Sequence, residues 1–112
     1  MAEFVLPLSK AFGRLQQATA EVARRGMGDP FEAGAAATEY LKLFGLTALA
    51  FVWARMAEAA LDKAEEDPTG FYRAKLGTAR FFMERLLPQT GALTSAIMAG
   101  GKSLKAFEEA AF

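Results

Sequence analysis

Glu39, Glu58 and Glu84 are the carboxylates whose placement invites a chemical reading, because carboxylates carried on neighbouring helices can hold a pair of metal ions. Helical sites of that kind combine glutamate with a Glu-x-x-His pair. The chain has no histidine, so the requirement fails. Glu65, Glu66 and Asp67 are adjacent and point around a helix end, which suits solvation or capping better than chelation. Histidine is also the usual acid or base near neutral pH, and cysteine, absent too, would be needed for thiol chemistry or a disulfide framework. Gly26-Met27-Gly28 is a turn signal that lacks the full glycine motif, lysine and preceding strand of a phosphate loop. No catalytic, cofactor-binding or metal-binding residue is assigned.

The remaining polar candidates are Arg55, Glu58, Arg73, Arg80 and Glu84, whose spacing suits an ion-pair network between two helices. Arg80 and Glu84, four apart, can pair along one helix. Tyr40, Phe44, Trp53, Tyr72, Phe81 and Phe82 read as core or interface aromatics, with Trp53 needing one partner for its indole N–H. Thirteen Lys plus Arg balance thirteen Asp plus Glu, which removes the long-range attraction expected of a nucleic-acid-binding domain.

These residues sit on four helical segments, expected at about 7–26, 30–66, 68–87 and 88–110 within one domain spanning 1–112. The organising stretch runs from Glu39 to Leu61. One track, Leu41, Phe44, Ala48, Phe51, Val52 and Arg55, advances at three- and four-residue steps; a second comprises Leu43, Leu46, Ala50, Trp53, Ala57 and Leu61. Two apolar tracks imply contact with more than one neighbour. Its twelve uncharged residues fall short of the roughly 20 needed to cross a bilayer, so no membrane span is expected. Gly45 is expected to admit a large neighbour such as Phe44, Phe81 or Phe82.

Helix one is expected to start with Pro7 in its first turn, and its stripe runs through Leu8, Ala11 or Phe12, Leu15, Ala18 or Thr19, and Val22. Lys10, Arg14, Gln17, Glu21 and Arg24 take the other side. Asp29 should cap helix two, with Pro30 first and Glu32 completing a capping box. Asp67 and Pro68 should begin helix three in the same manner, with Leu76, Ala79, Met83 and Leu86 on its buried face. Pro88 disfavours helical geometry at Leu87 and should start the fourth helix. The fold class is therefore all-α, an up-down-up-down four-helix bundle with helix two long and central.

The wording of the middle helices goes beyond periodicity. Tyr40-Leu41, Leu43-Phe44-Gly45, Trp53, Arg55-Met56-Ala57, Tyr72-Arg73-Ala74-Lys75, Ala79-Arg80-Phe81-Phe82 and Leu86-Leu87-Pro88 together resemble the C-terminal helical domain of the acetyl-CoA-dehydrogenase-like branch of the acyl-CoA dehydrogenases. The resemblance implies a piece of a larger enzyme whose preceding core supplies FAD and the catalytic carboxylate. Implied partners are that dehydrogenase core and identical subunits, with acyl-CoA as substrate of the complete enzyme. The chain itself would be non-catalytic, supporting assembly and bordering the substrate cleft. A free-standing helical protein-interaction module is the alternative, and an acyl-binding bundle lined near Trp53, Phe81 and Phe82 is a third reading. With no basic segment followed by an apolar run and cleavage site at the N-terminus, cytoplasmic residence is the expectation.

Overall fold

The structure, a computed structural model, describes residues 1–107. Its elements are α1 (Ala2–Gly28), α2 (Pro30–Leu61), α3 (Phe71–Phe81), a π turn (Phe82–Leu86), α4 (Gln89–Met98) and a short α5 (Lys102–Lys105). This is the expected all-α, four-helix arrangement, with α2 at its centre touching α1, α3 and α4.

α1 begins five residues ahead of the expected start, so Pro7 lies inside the helix. The ring removes one backbone donor in the second turn of the helix, where Glu3 would have been its acceptor four residues back. At the other end Gly26 and Gly28 stay helical, and the chain reverses at Asp29 alone. Gly26 permits a close crossing: a Cβ there would sit 3.3 Å from the Ala33 Cβ. Asp29 caps α2 through the Phe31 amide at 3.1 Å, with Pro30 following as expected. The reciprocal half of the capping box is missing. Glu32 instead accepts from the Gly101 amide at 2.7 Å, tying the far end of the chain to the start of α2.

α2 ends at Leu61, before the expected 66, and a run of turns follows. Helix three starts at Phe71 and not at Pro68. Gly70 is its N-cap, with φ of 78°, a left-handed conformation that glycine adopts without a Cβ penalty. Asp67 still serves this helix, accepting from the Thr69 amide at 2.9 Å, the Thr69 hydroxyl at 2.6 Å and the Tyr72 amide at 3.3 Å. Those donors hold its carboxyl below the usual aspartate range, the Thr69 hydroxyl most of all.

The expected break at Leu87 does not occur. Leu87 keeps right-handed helical dihedrals and its amide reaches back five residues to the Phe82 carbonyl at 2.9 Å. In a regular helix the Pro88 ring would press on the carbonyl four residues back, and the widened π turn opens the ladder there. The extra residue shifts the helical phase, so Leu87 is buried where periodicity selects Leu86. Helix four therefore continues along α3 and does not reverse: Arg80 meets Glu3, Thr90 meets Arg14 and Met98 meets Arg25, in order along α1. α3 and α4 thus form one rod parallel to α1, with α2 antiparallel to both and packed against each. α4 stops at Met98, and Gly100 then takes a φ of 77° before α5. The end of the expected fourth helix, beyond 107, lies outside the described residues.

Two clusters make the core. One gathers Phe4, Ala50, Ala54, Ala57, Leu76, Phe82, Met83 and Leu87, with Trp53 and Tyr72 packed against it. The other joins Ala18, Ala36, Leu43 and Ile97, bordered by Tyr40 and Leu93.

Candidate interaction face

The two apolar tracks of α2 separate along most of the helix, although Leu61 at the end of the second track is exposed. Leu43, Ala50 and Ala57 of the second track point into the core, together with Ala36, Thr47, Ala54 and Ala60. The first track faces out: Leu41 is 72% exposed, Phe44 50%, Phe51 53% and Val52 48%. An 18-residue window of α2 has mean hydropathy 1.3, long and apolar enough by length and composition to cross a membrane. That is longer than the twelve uncharged residues read from the sequence. Only 33% of this window is buried within the chain. A helix apolar on every side and packed on one side leaves an uncovered apolar face.

α1 extends that face. Between α1 and α2 lies an open groove of about 610 Å³, lined by Leu8, Phe12 and Leu15 on one wall and Phe44, Phe51 and Val52 on the other. Among the described residues, Ser9 and Thr47 are the polar side chains that line it. Thr47 spends its hydroxyl on the Leu43 carbonyl at 2.8 Å, so the groove offers no free donor there. A second hollow continues it past Phe12 and Phe44 to Thr19 and Tyr40, whose hydroxyls meet at 2.7 Å. Of the alternatives Ala11 and Phe12 in the helix-one stripe, Ala11 is the buried one and Phe12, half exposed, joins the groove.

The remaining sequence candidates do not converge on one place. Arg55 is exposed and its guanidinium lies 5.9 Å from the Phe51 ring centre, a cation–π arrangement at the end of the outer track. Among the described residues Arg55, Glu58, Arg73 and Glu84 form no ion pair, so the expected network is absent. Arg80 pairs with Glu3 at 2.9 Å instead of Glu84, and lies over the Phe4 ring. Tyr72 is half-buried, edge-on to Phe71, with the Lys63 ammonium over its ring. Phe82 is buried while Phe81 is half exposed. Trp53 is half-buried, and among the described residues its indole has no hydrogen-bond partner. None of Trp53, Phe81 and Phe82 lines the groove. Gly45 has nothing within 4 Å of a built Cβ, so it admits none of the neighbours expected for it.

The polar contacts that matter join the rods over long sequence separations. Arg14, assigned to the solvent side by periodicity, donates to the Thr90 hydroxyl at 3.0 Å, and that buried hydroxyl donates to the Leu87 carbonyl at 2.8 Å. Gly91 leaves room for the guanidinium at 3.3 Å. Arg25 donates to the Met98 carbonyl at 2.9 Å at the end of α4, and pairs with Glu21 at 2.6 Å. Lys105 pairs with Asp29 at 2.7 Å, and with the Phe31 amide it depresses the Asp29 pKa. All of these groups are satisfied internally. Among the described residues no three His, Cys, Asp or Glu side chains gather as a metal-holding group.

The polar set is thus internally satisfied, and one large apolar face is left exposed. The family described as "Acetyl-CoA dehydrogenase C-terminal like" matches residues 1–108 of the chain. The chain belongs to this family. It is a C-terminal domain of the acyl-CoA dehydrogenases, and the match takes in both helices that frame the groove. A search of curated proteins finds no match.

Proposed function

We propose that this chain is the accessory, non-catalytic C-terminal domain of a cytoplasmic FAD-dependent acyl-CoA dehydrogenase, supporting assembly of the enzyme and bordering its acyl-CoA cleft. The observation that carries the proposal is the outward apolar track of α2, which a member of this family would cover with a dehydrogenase core or an identical subunit. Burying apolar area of this kind is the main driving force of protein association. In the complete enzyme FAD would supply the hydride-accepting chemistry, held by the core and by no residue of this chain. This domain's part is to hold subunits and cleft walls in place, the positioning on which such transfer depends.

The test is an immunoblot of native cells with an antibody to this domain, followed by peptide mapping of the band. A product far larger than 12.1 kDa that contains a flavin dehydrogenase sequence is the expected result. A sole product near 12.1 kDa would overturn it and favour the free-standing interaction module.

A further inference from the structure

Arg14 holds a charge that no carboxylate among the described residues neutralises. Its guanidinium donates to the Thr90 hydroxyl at 3.0 Å, a neutral partner that is itself fully buried. A guanidinium carries five N–H donors in a fixed fork, so this one bond leaves most of them over. Lys10, one helical turn earlier on α1, is exposed and among the described residues makes neither a hydrogen bond nor an ion pair. Like charges four residues apart on a helix oppose each other. We infer that Lys10 and Arg14 form a binding site for a soluble phosphate monoester with an apolar body, seated in the groove between α1 and the π turn. This groove shares no lining residue with the one between α1 and α2, so the site stands apart from the apolar face of α2.

The two cations open onto a space of about 340 Å³. Ligand pockets begin at about 300 Å³, so a small organic phosphate fits. Beside the cations and the buried Thr90, the walls are apolar, with Leu6 and Pro7 on one side and Met83, Leu87 and Pro88 on the other. No carboxylate lines it among the described residues. Glu3, farther along α1, already pairs with Arg80 at 2.9 Å, and Glu84 of the π turn is exposed and outside the lining. An entering anion therefore meets positive charge without an acid beside it.

The fold sets Arg14 in place before any ligand arrives. Gly91 brings the α4 backbone up to the guanidinium: a Cβ there would lie 3.3 Å from Nη2 and 3.4 Å from Cζ. The Thr90 hydroxyl gives its own proton to the Leu87 carbonyl at 2.8 Å, which leaves its oxygen to accept from Arg14. The π turn, by shifting the helical phase, brings Leu87 and not Leu86 to the groove. A side chain already held in its bound geometry loses little freedom when the ligand enters.

Charge and shape together select the ligand class. A phosphate monoester carries close to two negative charges at neutral pH and three acceptor oxygens, matching one guanidinium and one ammonium. The planar fork takes two oxygens in parallel, and the ammonium serves the third as a point charge. The apolar walls are then left for the body of the ester, which inorganic phosphate lacks.

The test titrates the full chain with phenyl phosphate at constant ionic strength, following Tm and proton–nitrogen chemical shifts, with phenol and inorganic phosphate as comparisons. Expected are a rising Tm, shifts gathered at the Arg14 Nε–H and the Thr90 and Gly91 amides, no response to phenol and a weaker one to inorganic phosphate. Lys10→Gln, at an exposed position that leaves the fold intact, should weaken phenyl phosphate about tenfold, the loss of one charge-assisted contact. Lys10→Arg should retain binding, and Arg14→Lys should weaken it by keeping the charge and losing the fork. Unmoved Tm and shifts overturn the inference. A response to phenol equal to that to phenyl phosphate also overturns it, because the groove is then merely apolar. Binding untouched by Lys10→Gln does the same, because the anion is then adventitious. Association with phosphatidic acid vesicles without a response to phenyl phosphate overturns it in favour of a lipid headgroup.

Discussion

The two sides of α2 sort their residues by size, and in the opposite sense from a surface helix. The inner side is Ala36, Leu43, Thr47, Ala50, Ala54, Ala57 and Ala60, whereas the outer side carries Leu41, Phe44, Phe51 and Val52. Small inner residues let α1 and the α3–α4 rod approach closely, since side chains at the contact set the 8–10 Å range of interaxial distances. Volume inside is then supplied by neighbours, Phe4 from α1 and Phe82 from the π turn. Large outer residues have no such role within the chain. The difference teaches that α2 has two apolar faces, an intimate one packed inside the chain and a broad one left exposed outside it.

Breaking the inner contact should have the largest effect. Phe4 is fully buried against the alanines of α2, and Phe4→Ala should cost about 3–5 kcal/mol in urea denaturation, as large-to-small changes at buried aromatics do. Overfilling the same seam is the next test. Ala50 is 0% exposed, so Ala50→Leu should cost about 1–3 kcal/mol by forcing the rods apart.

Smaller still is the cap between the two contacts. Asp67→Ala removes the acceptor for three donors at the start of α3 and should be read as a modestly lower Tm. Asp67 has a folded pKa below its unfolded value, so its contribution is complete above the unfolded value and is lost as pH falls through the folded one. Asp29 behaves likewise through Lys105 and the Phe31 amide. Tm should therefore fall as pH drops below about 4, the unperturbed aspartate range, and the fall should be shallower in an Asp29→Asn/Asp67→Asn chain.

The smallest effect is expected outside. Phe51→Ser, measured dilute enough to keep chains apart, should change stability by no more than about 0.5 kcal/mol, because its ring already meets solvent. A loss as large as that of Phe4→Ala would place Phe51 in the core and dissolve the distinction between the two faces.

Much of this was legible in the residues themselves. Asp29-Pro30 marked the start of α2, alanine richness and two tracks marked its central place, and the joined motifs from Tyr40 to Pro88 carried the family resemblance. Which track faces inward was not legible, because a helix apolar all round gives periodicity no direction to point. The π turn was hidden for a related reason. Leu86 and Leu87 are both leucine, so a one-residue phase shift changes the buried one without changing the pattern. Arg14 with Thr90 and Arg80 with Glu3 join residues 76 and 77 positions apart, and local spacing holds no record of such pairs.

The central claim is that the bulky side of α2 lies outside the chain's own core, and thiol labelling tests it most directly. Val52→Cys and Ala50→Cys differ by two positions on one helix in a chain that otherwise has no cysteine. In dilute native chain, maleimide should label the cysteine at 52 nearly as fast as it labels denatured protein and leave the cysteine at 50 protected until unfolding. Equal protection at both positions, or protection at 52 alone, would contradict the account.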